Sequence, residues 1–153
     1  MQAREGKSTA IAGTGRADAP DFVFPEEPVG SSVSTFFVTA DSSWNYAGPG
    51  SLAAVKLGFI KDYKYGEELD KYIAANQNSD KLQAASGDDA LEKNINKLLA
   101  HRIDVLVEDA NVFMPAAKKN GCQDKVKAAG NIKPIPVYIA VSPGNPKSQA
   151  YAQ

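Results

Sequence analysis

The sequence predicts an α/β protein: an open, mostly parallel sheet with helices on both faces. Three observations carry this. From Val55 to Val141, β-branched and aromatic runs alternate with amphipathic helical stretches, the pattern of βαβ units, whose right-handed crossovers place helices on the sheet faces. Residues 90–113, ALEKNINKLLAHRIDVLVEDANVF, run an apolar helix face straight into a buried strand at 103–107 that ends on two carboxylates, Glu108 and Asp109. At 153 residues, with the composition of a soluble globular protein, the chain is long enough for one core of ordinary size.

Charge and composition narrow the function classes. The net charge is −1 and the basic residues are scattered rather than striped, so nothing points to nucleic acid or an anionic membrane as partner. A single cysteine, Cys122, excludes an internal disulfide, and together with a single histidine, His101, it leaves no zinc-finger or zinc-enzyme cluster. An oxygen-only cation site stays open, and no cofactor is indicated. No apolar run reaches the roughly 20 residues that cross a bilayer. Residues 1–12 carry Arg4, Glu5 and Lys7 with no apolar region behind them and do not read as a secretory signal peptide.

Taken in order, residues 8–12 read as a short strand before the turn Gly13-Thr14-Gly15. Gly6-Lys7-Ser8 ends like a phosphate loop but lacks its first glycine, and Asp18 occupies the place of a third dinucleotide-loop glycine, so both read as ordinary turns. Residues 17–30, with Pro20, Pro25 and Pro28, read as an irregular surface connection. Residues 34–39, STFFVT, form a strand by β-propensity. In residues 41–50, Trp44 and Tyr46 read as aromatics anchoring a loop to the body, with a stacking surface for a ligand as the alternative. Residues 55–60 form a strand, 61–64 a loop, and 65–76 a helix with Leu69, Tyr72 and Ile73 on one face. Residues 81–85 form a shorter strand. Asp89 and Glu92 have capping-box spacing and start a helix whose Leu91, Ile95, Leu98 and Leu99 share a face. His101 at that helix's end suits the dipole. A helix at 111–120 stops at Gly121, and residues 133–141, KPIPVYIAV, form a last strand pushed to an edge or crossing position by Pro134 and Pro136.

Connections that follow parallel strands gather on one rim, where open α/β sheets hold small ligands. Residues 61–64, 86–89 and 108–109 therefore converge. Asp88 and Asp89 read first as helix caps. Asp109 has two readings, a cap for the helix that follows and a ligand contact. The chain holds no Gly-x-Ser-x-Gly elbow, histidine dyad or metal motif, which argues against an enzyme and leaves the Glu108 and Asp109 carboxylates as the residual acid–base candidates.

Five stretches, PDFVFPEEPVG, STFFVTADSSW, VKLGFIKDYKYGEELDKYI, NINKLLAHRIDVLVED and YIAVSPGNP, follow one another in an order and spacing that resemble the extracytoplasmic (periplasmic) solute-binding proteins of family 3, the amino-acid-binding group of ABC transporters, whose domains also occur in receptors. No one stretch is a strict motif. The resemblance covers residues 17–153 and implies a type II periplasmic-binding-protein-like fold, with two α/β lobes joined by two hinge-crossing strands and a ligand clamped between them. On that template STFFVT and PVYIAV are the paired hinge strands. Residues 1–39 are a remnant of the first lobe with the first hinge strand, 40–136 a complete second lobe, and 137–153 the second hinge strand and the start of the first-lobe return. The first lobe is then largely missing, and exposed hinge strands predict a homodimer by strand exchange.

The resemblance further implies a small-molecule ligand, an amino acid or amine, and a membrane permease or receptor as partner, with a periplasmic or extracytoplasmic location for the parent protein. The acid ending RIDVLVED, Asp109, takes the position that pairs with a ligand's amino group. In the loop that presents backbone N–H groups to a ligand carboxylate, this chain has Asp62-Tyr63-Lys64 where amino-acid binders have Gly-Ser/Thr-Thr. The arginine that grips the carboxylate from the first lobe is replaced by Asp18, with Arg16 as the nearby substitute. Both departures point away from a standard amino acid.

Overall fold

The computed structural model describes residues 10–144 and Ala150. The phosphate-loop-like Gly6-Lys7-Ser8, residues 8 and 9 of the first expected strand, and the end of YIAVSPGNP lie outside them. In chain order the strands are Ala10–Thr14 (β1), Gly30–Ser32 (β2), Ser34–Thr39 (β3), Leu57–Ile60 (β4), Leu82–Ala85 (β5), Val105–Asp109 (β6), Val126–Asn131 (β7) and Ile135–Val141 (β8). The α-helices are Glu67–Ala75 (α1), Ala90–Leu99 (α2) and Ala110–Lys119 (α3). Two compact units divide the chain: Met1–Ser32 with Pro134–Gln153, and Val33–Lys133.

The Val33–Lys133 unit is a five-stranded sheet in the order β5-β4-β6-β3-β7. The β5–β4 and β4–β6 junctions are parallel, and β3 runs antiparallel to both β6 and β7, so four strands share one direction. Strand side chains alternate between faces, and the apolar residues of β3 and β6 obey this. Phe36, Val38, Val105 and Val107 enter a core with Leu69 and, on its border, Tyr72 and Ile73 of α1. Phe37 and Leu106 enter the opposite core with Ile95 and Leu98 of α2 and Phe113 of α3. Helices thus cover both faces, as expected. A side chain at Gly58 would collide with Ile103, so β4 uses glycine where it passes beneath the start of β6.

Trp44 and Tyr46 anchor their loop. The Tyr46 ring stacks on Phe36 with centroids 4.2 Å apart, and the Trp44 ring meets Phe36 edge-on at 5.9 Å. The end of α2 is held by backbone bonds as well as by any dipole effect. His101 adopts a left-handed φ of 54° while its N–H donates to the Leu98 carbonyl and that of Arg102 donates to Lys97.

Several expectations are corrected. STFFVT does not pair with PVYIAV: β3 lies inside the five-stranded sheet, while β8 is the middle strand of a separate three-stranded antiparallel sheet, β1-β8-β2. Burial explains it, because β3 is apolar on both faces and suits an interior position. Strand β7 was not foreseen, and β6 begins and ends two residues later than expected. The Asp89–Glu92 capping box does not form; Asp89 makes no side-chain cap bond and pairs with Lys93 at 2.8 Å.

Within the other unit, residues 17–30 are more than a surface connection. Ala19 and Phe22 are buried with Ala140 in a small core bordered by Ile11 and Phe24. Asp18 closes a turn by accepting the Gly15 N–H at 3.1 Å.

Candidate functional site

Strands β4, β5 and β6 are parallel, so their carboxyl ends share a rim, and the N-termini of α2 and α3 rise from it. On this rim lies a cleft of about 500 Å³. Its wall combines apolar Ile60, Leu91 and Val112 with Tyr63, Asp88 and Glu108. That volume is in the ordinary range for small-molecule pockets. The expected convergence of the three loop segments is observed: Tyr63, Asp88 and Glu108, one from each, line the cleft.

The two carboxylates ending β6 face different duties. Asp109 is the N-cap of α3, where Oδ1 accepts the Asn111 N–H at 2.8 Å and Oδ2 accepts the Val33 N–H at 3.1 Å. The capping reading of this residue is therefore realised in the geometry. Glu108 is 3 % exposed. Its Oε1 accepts the Asp109 N–H at 2.9 Å, while Oε2 is buried without a hydrogen-bond partner. Burial pushes the Glu108 carboxyl above its ordinary value; the Asp109 amide bond opposes this and the Asp109 charge adds to it.

Tyr65 stiffens the loop beneath the cleft. Its hydroxyl accepts the Ile60 N–H at 2.8 Å, its carbonyl accepts the Ser34 hydroxyl at 2.9 Å, and burial pushes its phenol far above the usual range. Tyr63, 55 % exposed, sits 6.2 Å from Tyr65 between ring centroids and leans over the rim. Asp62 precedes it with a left-handed φ of 66°, and Asp62 and Lys64 are both exposed on the same loop. Of the five residues singled out from sequence, Tyr63 lines the cleft, Asp109 adjoins Glu108, and Asp62 and Lys64 flank Tyr63.

Arg16 belongs to the other unit. Its guanidinium donates to the Pro25 carbonyl at 2.7 Å and lies over the Tyr138 and Phe24 rings at 4.8 and 5.7 Å. These contacts use the charge to tie residues 16–25 to β8.

Glu108 is the residue that the sequence alone did not single out as a ligand contact. The signal was present, since a carboxylate directly before a capping acid in an apolar run alternates onto a covered face. Among the described residues no group of three or more His, Cys, Asp or Glu side chains is placed to hold a metal ion, and no helix is long and apolar enough to cross a membrane.

The fold is that of the periplasmic-binding-protein-like α/β proteins. A histidine kinase sensor domain with similarity to periplasmic binding proteins matches 99 % of this chain and 63 % of its own, with a TM-score of 0.71 at 19 % identity. An ancestral arginine-binding protein bound to arginine matches 99 % and 65 %, with 0.72 at 17 %. The arginine-, lysine-, histidine-binding protein ArtJ from the thermophilic bacterium Geobacillus stearothermophilus matches 97 % and 62 %, with 0.69 at 12 %. The chain therefore spans less than two thirds of each of these proteins. No protein-family profile and no curated protein sequence matches it. The resemblance read from the sequence is borne out at the level of the fold.

Proposed function

We propose that this chain belongs to a solute-binding protein rather than an enzyme, and that it binds a small polar solute, an amino acid or amine. In the parent protein the solute is held between two lobes that close about a hinge. The observation carrying this reading is the acidic cleft at the strand carboxyl ends, with Glu108 and Asp88 in its wall, and Asp109 follows Glu108 on the opposite face of β6. An ammonium group is the natural partner of such a rim, through charge-assisted hydrogen bonds. Arg16 is engaged with aromatic rings and Asp18 with a turn, which favours a solute whose amine matters more than its carboxylate. The solute stabilises the closed state by its differential affinity, and a membrane partner reads that state. On this reading the parent protein is extracytoplasmic and delivers the solute to an ABC transporter permease. A second reading, the ligand-sensing domain of a membrane receptor, is favoured by the likeness to a histidine kinase sensor domain.

Calorimetric titration of the chain against the amino acids and short alkyl amines tests the reading. Asp109→Asn is the informative variant, because asparagine caps helices as well as aspartate and lacks the charge. Saturable binding that weakens at least roughly tenfold in Asp109→Asn is the expected result, with a small fall in melting temperature because asparagine keeps one acceptor oxygen for the Asn111 and Val33 N–H groups. Binding indifferent to the substitution removes Asp109 from the site.

A further inference from the structure

Glu108 is unusual in this unit. A carboxylate 3 % exposed, with one oxygen bonded to a backbone amide and the other unpartnered, is costly as an anion and leaves acceptor capacity unused even as an acid. It lines the cleft together with Asp88, and three apolar side chains, Ile60, Leu91 and Val112, form much of the remaining wall. Alternation along β6 puts Glu108 on the side of Leu106, the face covered by α2 and α3, whereas Asp109 points to the other side. The two acids thus address different spaces.

We propose that the cleft is a subsite for a compact monocation, a primary ammonium or guanidinium on a short apolar stem, with the Glu108 carboxylate as its counter-charge. This deepens the reading just given, since it assigns the far end of a solute rather than its α-amino group.

The chemistry balances simply. At a pH below the Glu108 pKa, the O–H bond breaks as the cation enters, one proton leaves to water, and the carboxylate so formed pairs with the cation, which stays protonated. Burial raises the Glu108 carboxyl's pKa and so works against its anion, and a cation at hydrogen-bond distance works the other way. The stem lies against Ile60, Leu91 and Val112. Asp88 in the cleft wall adds a second negative group that favours a cation. The N-termini of α2 and α3 border the site and favour the ionised carboxylate once it forms.

Several polar and titratable groups surround Glu108. Asp109 adjoins it, Tyr65 lies beneath it with its phenol pushed up by burial, Tyr63 and Asp88 share the cleft, and Thr35 of β3 stands opposite. On α2, Asp89 and Lys93 pair with each other, and Lys93 also donates to the Ser86 carbonyl at 3.3 Å.

The test uses the whole chain with carboxyl-13C glutamate, titrated by NMR with and without n-butylammonium or N-butylguanidinium, and isobutyl alcohol as the uncharged probe. The expected result is a Glu108 carboxyl that titrates above the other glutamates and moves down when either cation is present, with no movement for the alcohol. Calorimetry in two buffers of different ionisation enthalpy is expected to report close to one proton released per cation bound below the Glu108 pKa. Glu108→Gln is expected to abolish that release and weaken the cations at least roughly tenfold. A Glu108 carboxyl that ignores both cations overturns the subsite, even if amino acids bind in an Asp109-dependent way and the solute-binding reading stands. A carboxyl that responds to the cations while no amino acid binds keeps the subsite and removes the reading. Movement with the alcohol alone overturns the cation assignment.

Discussion

The two compact units distribute their apolar residues differently. The Val33–Lys133 unit sandwiches its sheet between two cores, each containing a stacked aromatic pair, Phe36 with Tyr46 at 4.2 Å and Phe37 with Phe113 at 3.7 Å. In the other unit, the described core is Ala19, Phe22 and Ala140 with two bordering residues, and Val29 and Ile139 remain exposed. One unit is held by layers and the other by a few individual contacts, such as the Arg16 clip. The lesson concerns tolerance. A buried, half-satisfied carboxylate costs stability wherever it sits, and the unit with two cores is the one that carries Glu108.

The largest test of this contrast is a pair of truncations. Phe37→Ala is expected to cost about 3–5 kcal/mol in urea unfolding, because its stacked partner and both adjoining helices lose contact. Phe22→Ala is expected to cost about 1–2 kcal/mol, concentrated in faster amide exchange of its own unit. Equal, global costs for the two would break the contrast.

A smaller effect is the pH dependence that Glu108 imposes. Because its native pKa is raised above the ordinary 4.5, the native state keeps a proton the unfolded chain has released. Stability is full below 4.5, falls as pH rises through the native pKa, and then levels, with a slope of at most about 1.4 kcal/mol per pH unit. Asp41, Glu67 and Asp89 are shifted the other way by hydrogen bonds, but they are exposed and screened by solvent. Subtracting the Glu108→Gln curve from that of the parent chain should isolate the downward slope, and a flat difference would mean Glu108 titrates normally.

The smallest effect is expected from Arg16→Ala. Loss of the guanidinium over Tyr138 should cost about 0.5–1 kcal/mol. It should speed exchange at the mutually bonded Val23 and Val141 amides while leaving those of β3 untouched. Unchanged exchange at Val23 would show the clip to be idle.

Much of the Val33–Lys133 unit was legible in the sequence because its periodicity is strong. The face of Leu91, Ile95, Leu98 and Leu99 announced α2, and the Val-Leu-Val run announced β6. Strand β7 was not legible, because VKAAGN has low β-propensity and a left-handed Gly130, and is a strand through its pairing with β3. The mistaken pairing of STFFVT with PVYIAV arose because both are apolar runs. What separates them is burial of β3 on both faces against the exposed positions of β8, including Ile139. Asp109 and the Tyr63 loop stood out in the sequence because acids and turns at strand ends are conspicuous. Glu108 was read only as a terminal carboxylate and residual acid–base candidate; its burial was not legible because the register that pairs Thr35 with Glu108 and Ser34 with Asp109 is a property of β3 and is invisible locally.

The placement of β3 has a consequence for how the molecule comes into being. Its neighbours are β6 and β7, both far downstream, and its first turn is tied through the Val33 N–H to Asp109, 76 residues later. During synthesis this doubly apolar segment leaves the ribosome before either of its partners exists, so its two rows of backbone groups and its paired phenylalanines wait unsheltered until β7 has emerged. Closing such distant pairings is slow relative to forming the intervening helices. The nascent chain is thus most prone to association in the interval after α1 and before β7. Shortening that interval, by permuting the chain so that β3 follows β7, should speed folding without altering a single contact within the sheet.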